Sequence, residues 1–160
     1  MKDDEFERLY SEQAQSLFAF LAYRTGDRVL AEDLLADAFE RALRAKFNPR
    51  KGSAKTWLYA IALNVLRDHV RRIAAEGRAY ARVDAGETSP DPFADVEVRD
   101  ELLRALGGLA AEEREAISLR YGADLTVPEM AAVLGVPLTT VEGRVYRALR
   151  KLREALAATR

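Results

Sequence analysis

Residues 130–152 read MAAVLGVPLTTVEGRVYRALRKL, two short amphipathic runs on either side of a Gly135-Val136-Pro137 break. The spacing predicts a helix-turn-helix. Ala131 and Leu134 face inward from the first run, Gly135 supplies a left-handed turn, Val136 plugs the corner, and Val141 and Val145 answer from the second run. Thr139 and Glu142 fit a T-x-x-E capping box that would start the second helix. On a helical wheel Val141, Val145, Leu149, Leu152 and Leu156 share one face, which leaves Thr140, Gly143, Arg144, Arg147, Arg150 and Lys151 on the remainder. In a helix-turn-helix the second helix enters the major groove with its N-terminal residues toward base edges. Arginines there pair with guanine edges or phosphates, and free backbone N–H groups favour a phosphate. A helical hairpin with an ordinary basic exterior is the plainer alternative, but turn, cap and charge coincide in one place, which favours DNA contact.

Charge outside this stretch extends the same reading. Residues 143–153, GRVYRALRKLR, carry no acid, and residues 41–55, RALRAKFNPRKGSAK, hold six basic residues and no acid. Between them residues 84–101, DAGETSPDPFADVEVRDE, are acidic, and the formal net charge of the 160-residue chain is −1. Near-neutrality argues against indiscriminate coating of nucleic acid, whereas two basic patches around an acidic middle suggest two surfaces for a polyanion. Each patch alone also reads as a solvated helix face. With no cysteine, neither a disulfide framework nor a thiolate metal site is available, which fits a reducing cytoplasm. His69 is the single histidine and is expected to be structural or at the surface, with no metal site around it. The start of the chain, MKDDEFERLYSEQ, is acidic without a continuous apolar run, so no signal peptide or membrane insertion is expected, and the location expected is cytoplasmic. No nucleophile-base pair or Gly-rich phosphate loop stands out, so no catalytic residue, enzyme activity or cofactor is expected.

Alanine, leucine, arginine and glutamate dominate, and period-two β-branched runs are absent, so the fold class expected is all-α. A first helix fits residues 4–24, a second 28–46 with Asp27 as N-cap, and a third begins after Ser53, with Trp57, Ile61 and Val65 as a buried stripe. Residues 83–95, VDAGETSPDPFAD, combine prolines, a glycine and acids, and read as a flexible acidic linker. Further helices fit residues 96–106, 111–121, 127–134 and 140–157. The architecture expected is two small helical domains, 1–82 and 96–160, on that tether.

Three segments in this order resemble the extracytoplasmic-function sigma factors, small two-domain specificity subunits of bacterial RNA polymerase within the sigma-70 superfamily. AEDLLADAFERALRA, residues 31–45, resembles the family's polymerase-binding helix. KTWLYAIALNVLRDHVRR, residues 55–72, resembles the helix that recognises and opens the −10 promoter element. LTVPEMAAVLGVPLTTVEGRVYRALRKLREAL, residues 125–156, resembles the −35-binding helix-turn-helix. The resemblance therefore implies a region 2 helical bundle followed by a region 4 helix-turn-helix, covering nearly the whole chain.

Residue by residue, the resemblance implies that Asp33, Leu34, Asp37, Phe39 and Glu40 face core polymerase, whose β′ coiled coil and β flap are the expected docking elements. Asn64 matches a position contacting an extruded −10 base, where an amide offers a donor and an acceptor to a Watson–Crick edge. Lys55, Arg67, Asp68, Arg71 and Arg72 join it around the opened strand, and Tyr59 would either stack on a base or lie half-buried. Trp57 also matches a family tryptophan, and its apolar stripe assigns it to the core. At −35 the implied contacts are Thr139, Thr140, Glu142, Gly143, Arg144, Tyr146, Arg147, Arg150 and Lys151. Glu142 and Gly143 depart from the basic residue and serine often found there; Glu142 would serve the cap or accept from a cytosine amino group.

The function implied is promoter recognition by a dissociable initiation subunit, bound to duplex DNA at −35 and single-stranded DNA at −10, and held in check by an anti-sigma factor. One rival is a sigma-like decoy that binds an anti-sigma factor without promoter activity. Another is an ordinary helix-turn-helix repressor, which would leave Asp33 to Asn64 unexplained.

Overall fold

The computed structural model of the chain describes residues 1–77 and 96–158, and every regular element among them is helical. They fall into two compact units, the first taking in residues 1–77 together with 132–134 and the second the other residues of 96–158. Residues 83–95 themselves, and with them the expected domain boundaries, lie outside the described residues.

In the first unit, helix α1 (Asp3–Thr25) opens with Asp3, Asp4 and Glu5, acids that complement the positive end of the helix dipole. It stops at Gly26, whose φ of 68° is left-handed. Thr25 ties the corner, its hydroxyl lying 2.8 Å from the Leu21 carbonyl and 3.2 Å from the Asp27 N–H. Asp27 then caps α2 (Arg28–Arg44) as its sequence position predicts, Oδ1 accepting from the N–H groups of Val29 at 3.0 Å and Leu30 at 3.1 Å. A 3₁₀ turn, Pro49–Lys51, is capped by Asn48. Ser53 caps α3 (Ala54–Ala75) by accepting from the Thr56 N–H at 3.1 Å.

The core of this unit is formed by Leu9, Leu17, Phe20 and Leu21 of α1, Ala31, Leu34, Ala38, Phe39 and Ala42 of α2, and the buried face of α3. That face corrects the expected stripe. Leu58, Tyr59, Ala62, Leu63, Val65 and Leu66 are buried, whereas Trp57 and Ile61 are only partly so. Because α3 packs against both α1 and α2, its apolar arc is wider than a period-four stripe and is displaced from it. Trp57 sits at the rim, its ring 5.1 Å from that of Phe47.

Residues 96–158, most of which make the second unit, form α4 (Val96–Gly107), α5 (Ala111–Ile117), a π-helical segment (Ser118–Gly122), α6 (Val127–Leu134) and α7 (Leu138–Ala158). Ala105, Leu106, Leu109, Ile117, Ala148 and Leu152 form its core cluster, with Leu149 and Leu156 packed against it. The predicted helix over 111–121 widens after Ile117, where Ala123 N–H donates to the Ser118 carbonyl five residues back.

Gly135 takes the left-handed conformation expected of it, with φ 66°. The inward residues of α6 are Met130 and Val133, with Ala131 and Leu134 partly exposed, a shift of one position from the expectation. The capping box expected at Thr139 and Glu142 is not formed. Helix α7 begins at Leu138, and the Pro137 carbonyl accepts from Thr140 and Val141, so Thr139 already lies in the first turn. The same T-x-x-E pattern works one helix earlier. Thr126 accepts from the Glu129 N–H at 3.2 Å, and Glu129 accepts from the Thr126 N–H at 2.9 Å.

Phe20 is fully buried with its ring 6.0 Å from that of Tyr59. Phe20→Ala is expected to destabilise the first unit by about 3–5 kcal/mol in urea denaturation, and a loss below about 1 kcal/mol would contradict this core assignment.

Candidate nucleic-acid interface

With one side of α3 committed to the core, the other carries the expected −10 residues. Asn64, Arg67, Arg71 and Arg72 are exposed, and Lys55 and Asp68 are partly exposed. Asn64, Arg67 and Arg71 recur at helical spacing, so an amide and two guanidinium groups line one face. Asp68 does not present a bare acid to that surface. Its carboxylate accepts from Arg41 of α2 at 3.1 Å and from Arg71 one turn along α3. The Arg41 hydrogen bond, joined by Arg71, holds the Asp68 carboxyl below its ordinary range despite some desolvation. Asp68 therefore stays ionised and ties Arg41 to the α3 face.

Two expectations are corrected in this region. Tyr59 is fully buried, its hydroxyl 3.1 Å from Ser16 Oγ, and leaves no ring face on which a base could stack. Leu34 and Phe39 lie in the core, not on a docking surface, and the Phe39 ring packs against Phe6 at 5.9 Å and Tyr10 at 4.8 Å. Asp33 and Glu40 do face outward, Asp37 is half-buried, and Glu40 pairs with Arg44 at 2.6 Å. The apolar groups that accompany these acids at the surface are Val29, 71% exposed, and Leu43, 62% exposed. Their signal in the sequence was helical phase, since residues 29, 33, 36, 40 and 43 share one side of α2. His69 is half-buried, and burial followed by the nearby Arg72 lowers its pKa, so it stays neutral at neutral pH.

On α7 the sequence-predicted residues divide by exposure. Thr139, Glu142, Tyr146, Arg147 and Arg150 are exposed, whereas Thr140, Gly143, Arg144 and Lys151 are partly buried. Val141 is buried as expected, Val145 only partly. A Cβ at Gly143 would lie 3.1 Å from Arg147 Nη1, so the glycine gives that guanidinium room to lie along the helix.

Two acids at the start of α5, missed in the sequence, organise the basic face. Glu113 has a side chain only 5% exposed and accepts from Lys151 Nζ at 2.7 Å, with Arg147 Nε at 3.8 Å from its second oxygen. Its Oε1 also accepts from the Ala110 N–H at 2.9 Å, satisfying a donor at the start of α5. Glu112 reaches Arg144 at 4.0 Å. Arg114, beside them, turns the other way and donates to the carbonyls of Leu106, Gly107 and Leu109. The Lys151 hydrogen bond, followed by the Ala110 N–H, lowers the Glu113 pKa. Position in α5 offered a partial signal, because a glutamate three residues into a helix is placed to cap it. The lysine is 38 residues away, beyond any local pattern.

Comparison with known proteins adds two ordered matches. A Sigma-70 region 2 family model matches residues 9–76, and a Sigma-70 region 4 model matches residues 99–152. The ECF RNA polymerase sigma factor BldN of Streptomyces coelicolor is 32% identical over 96% of this chain and 61% of its own length. SigE of Mycolicibacterium smegmatis is 36% identical over 86% of the chain and 56% of its length, so the chain spans less than two thirds of these two relatives. The ECF RNA polymerase sigma factor SigC of Mycobacterium tuberculosis is 35% identical over 90% of this chain and 77% of its own length. Among solved structures, CnrH in complex with the cytosolic domain of CnrY aligns with a TM-score of 0.70 and 29% identity, over 98% of this chain and 90% of that one.

A lowered Glu113 pKa fixes the sign of an acid response. Its contribution to folding is fully present above the ordinary glutamate range and is lost as pH falls through the depressed folded value. Thermal melts of wild type and Glu113→Gln should therefore differ most at neutral pH and converge in acid. A difference that grows on acidification would contradict the assignment.

Proposed function

The chain belongs to the extracytoplasmic-function sigma factors of the sigma-70 family, and we propose that it confers promoter specificity on bacterial RNA polymerase as a dissociable, non-enzymatic initiation subunit. The observation that carries this reading is the pairing of two separate exposed basic surfaces, on α3 and on α7, with region 2 and region 4 matches in that order. The first domain, residues 1–82, docks on core polymerase and takes up the opened −10 strand. The second, residues 96–160, grips duplex DNA at −35, and residues 83–95 tether the two. Each grip is individually modest, because assembly on polymerase makes the second contact effectively intramolecular.

Asn64 reads an unpaired −10 base with its amide, and Arg67, Arg71, Arg72 and Lys55 draw the strand's phosphates to the same face. Asp33, Asp37 and Glu40, flanked by Val29 and Leu43, form the mixed acidic and apolar surface that meets the polymerase coiled coil. On α7, Thr139, Thr140, Glu142, Gly143, Tyr146 and Arg147 face the −35 bases, with Arg144, Arg150 and Lys151 farther from them. The absence of any described helix long and apolar enough to cross a membrane is compatible with a cytoplasmic site of action. CnrH is recorded in a complex with the cytosolic domain of CnrY, and we extend that mode of control to this chain as an anti-sigma partner.

Asn64→Ala should leave binding to core polymerase intact while strand opening at −10, read by permanganate reactivity, falls sharply. Equal loss of both would remove the assigned role. Arg147→Ala should weaken promoter binding by about 1–3 kcal/mol in competition footprinting if it reads a base. An unchanged −35 footprint would exclude it.

A further inference from the structure

Five cations lie on residues 143–153 of α7, yet the structure does not leave them all equally available to DNA. We propose that Glu113 is a positioning residue for DNA reading by α7. Its carboxylate withholds Lys151 from phosphate and steers Arg147 toward base edges, so the helix meets DNA with less charge than its sequence carries. The inference rests on the promoter-binding reading given above.

Burial decides the outcome of the competition for Lys151. The Glu113 side chain is 5% exposed, while Lys151 and Arg147 above it are 42% and 49% exposed. A DNA phosphate that captured Lys151 would leave the buried carboxylate with only the Ala110 N–H at 2.9 Å and Arg147 at 3.8 Å, and removing the close partner of a buried ion pair is unfavourable. Lys151, at 2.7 Å, therefore stays with Glu113. Arg147 is held more loosely. Its Nε faces the acid at 3.8 Å, while Nη1 lies along Gly143, toward the end of α7 that meets base edges in a helix-turn-helix. A guanidinium engaged through Nε still has both Nη groups to offer a guanine. Glu112, 4.0 Å from Arg144, lowers the local charge in the same direction.

The purpose this serves is discrimination. Phosphate contacts supply affinity for any sequence, whereas base contacts supply the difference between sequences. Removing one lysine from the phosphate count lowers the first without lowering the second. The Glu113→Gln substitution tests this cleanly, because an amide oxygen can still accept from the Ala110 N–H while the charge is gone.

The test is equilibrium binding of the intact chain, assembled with core polymerase, to a labelled promoter duplex and to a scrambled duplex across a salt series. For Glu113→Gln the expected result is a plot of log K against log[salt] steeper by about 0.9, the increment of one added phosphate contact, with a smaller promoter-to-scrambled ratio. The double variant Glu113→Gln/Lys151→Gln should return to the wild-type slope. A Glu113→Gln slope that is unchanged or shallower, or a double variant that stays steep, overturns the proposal. If Glu113→Gln does not fold, Lys151→Gln alone reads the same pair: an unchanged slope supports it, and a slope flattened by about 0.9 overturns it. Failure of the wild-type assembly to bind the promoter is a distinct result, which removes the promoter reading and this inference with it.

Discussion

The packing of α3 against α1 and α2 is the constraint on which the first unit depends. Leu58, Tyr59, Ala62, Leu63, Val65 and Leu66 are consumed by that contact, and a helix with one broad face buried has only the opposite arc to offer a partner. Asn64, Arg67 and Arg71 lie on that arc because the buried residues occupy the rest. The Ser16–Tyr59 hydrogen bond satisfies a phenol inside the core, and the Arg41–Asp68–Arg71 bridge fixes α2 to α3 at the surface. The face that would read DNA is thereby held on a rigid support, which lowers the ordering cost of any contact it makes.

The second unit solves a different problem, that of placing a strongly basic helix on a small apolar core. Val141, Ala148 and Leu152 bury one stripe of α7, and the cations beside that stripe must be accommodated close to it. Glu113 does this from α5 with one carboxylate that caps its own helix, binds Lys151 and approaches Arg147. One buried acid thus joins local helix formation, tertiary packing and the charge available to a ligand. The near-neutral chain, net charge −1, carries the same balance at the scale of the whole molecule.

What could be read from the sequence was what acts locally. Asp27 and Ser53 cap their helices through neighbours two or three residues away, and Gly135 takes the left-handed turn that its place between two amphipathic runs demands. Where two local solutions compete, the pattern alone does not choose. T-x-x-E occurs at both Thr126 and Thr139, and only the first forms the box, because the Pro137 carbonyl already starts α7 ahead of the second. Side-chain direction was less legible. Of the Trp57–Ile61–Val65 stripe only Val65 lies within the buried arc, because α3 packs against two helices and buries a broader face than period-four spacing marks. Leu34 and Phe39 were placed at a docking surface by resemblance to a motif, which identifies a helix without saying which of its residues the core has claimed. For Glu113 the cap on α5 was within reach of a local pattern, but the pairing with Lys151, 38 residues away, was not.

As a promoter-specificity subunit, the chain is proposed to direct RNA polymerase to particular promoters. The most direct measurement is run-off transcription from a library of promoter fragments by core polymerase, with and without the purified chain. The chain is expected to co-purify with core polymerase and to produce transcripts from a defined subset of fragments on which core alone is silent. A chain that neither binds core polymerase nor changes the set of transcripts would contradict that role.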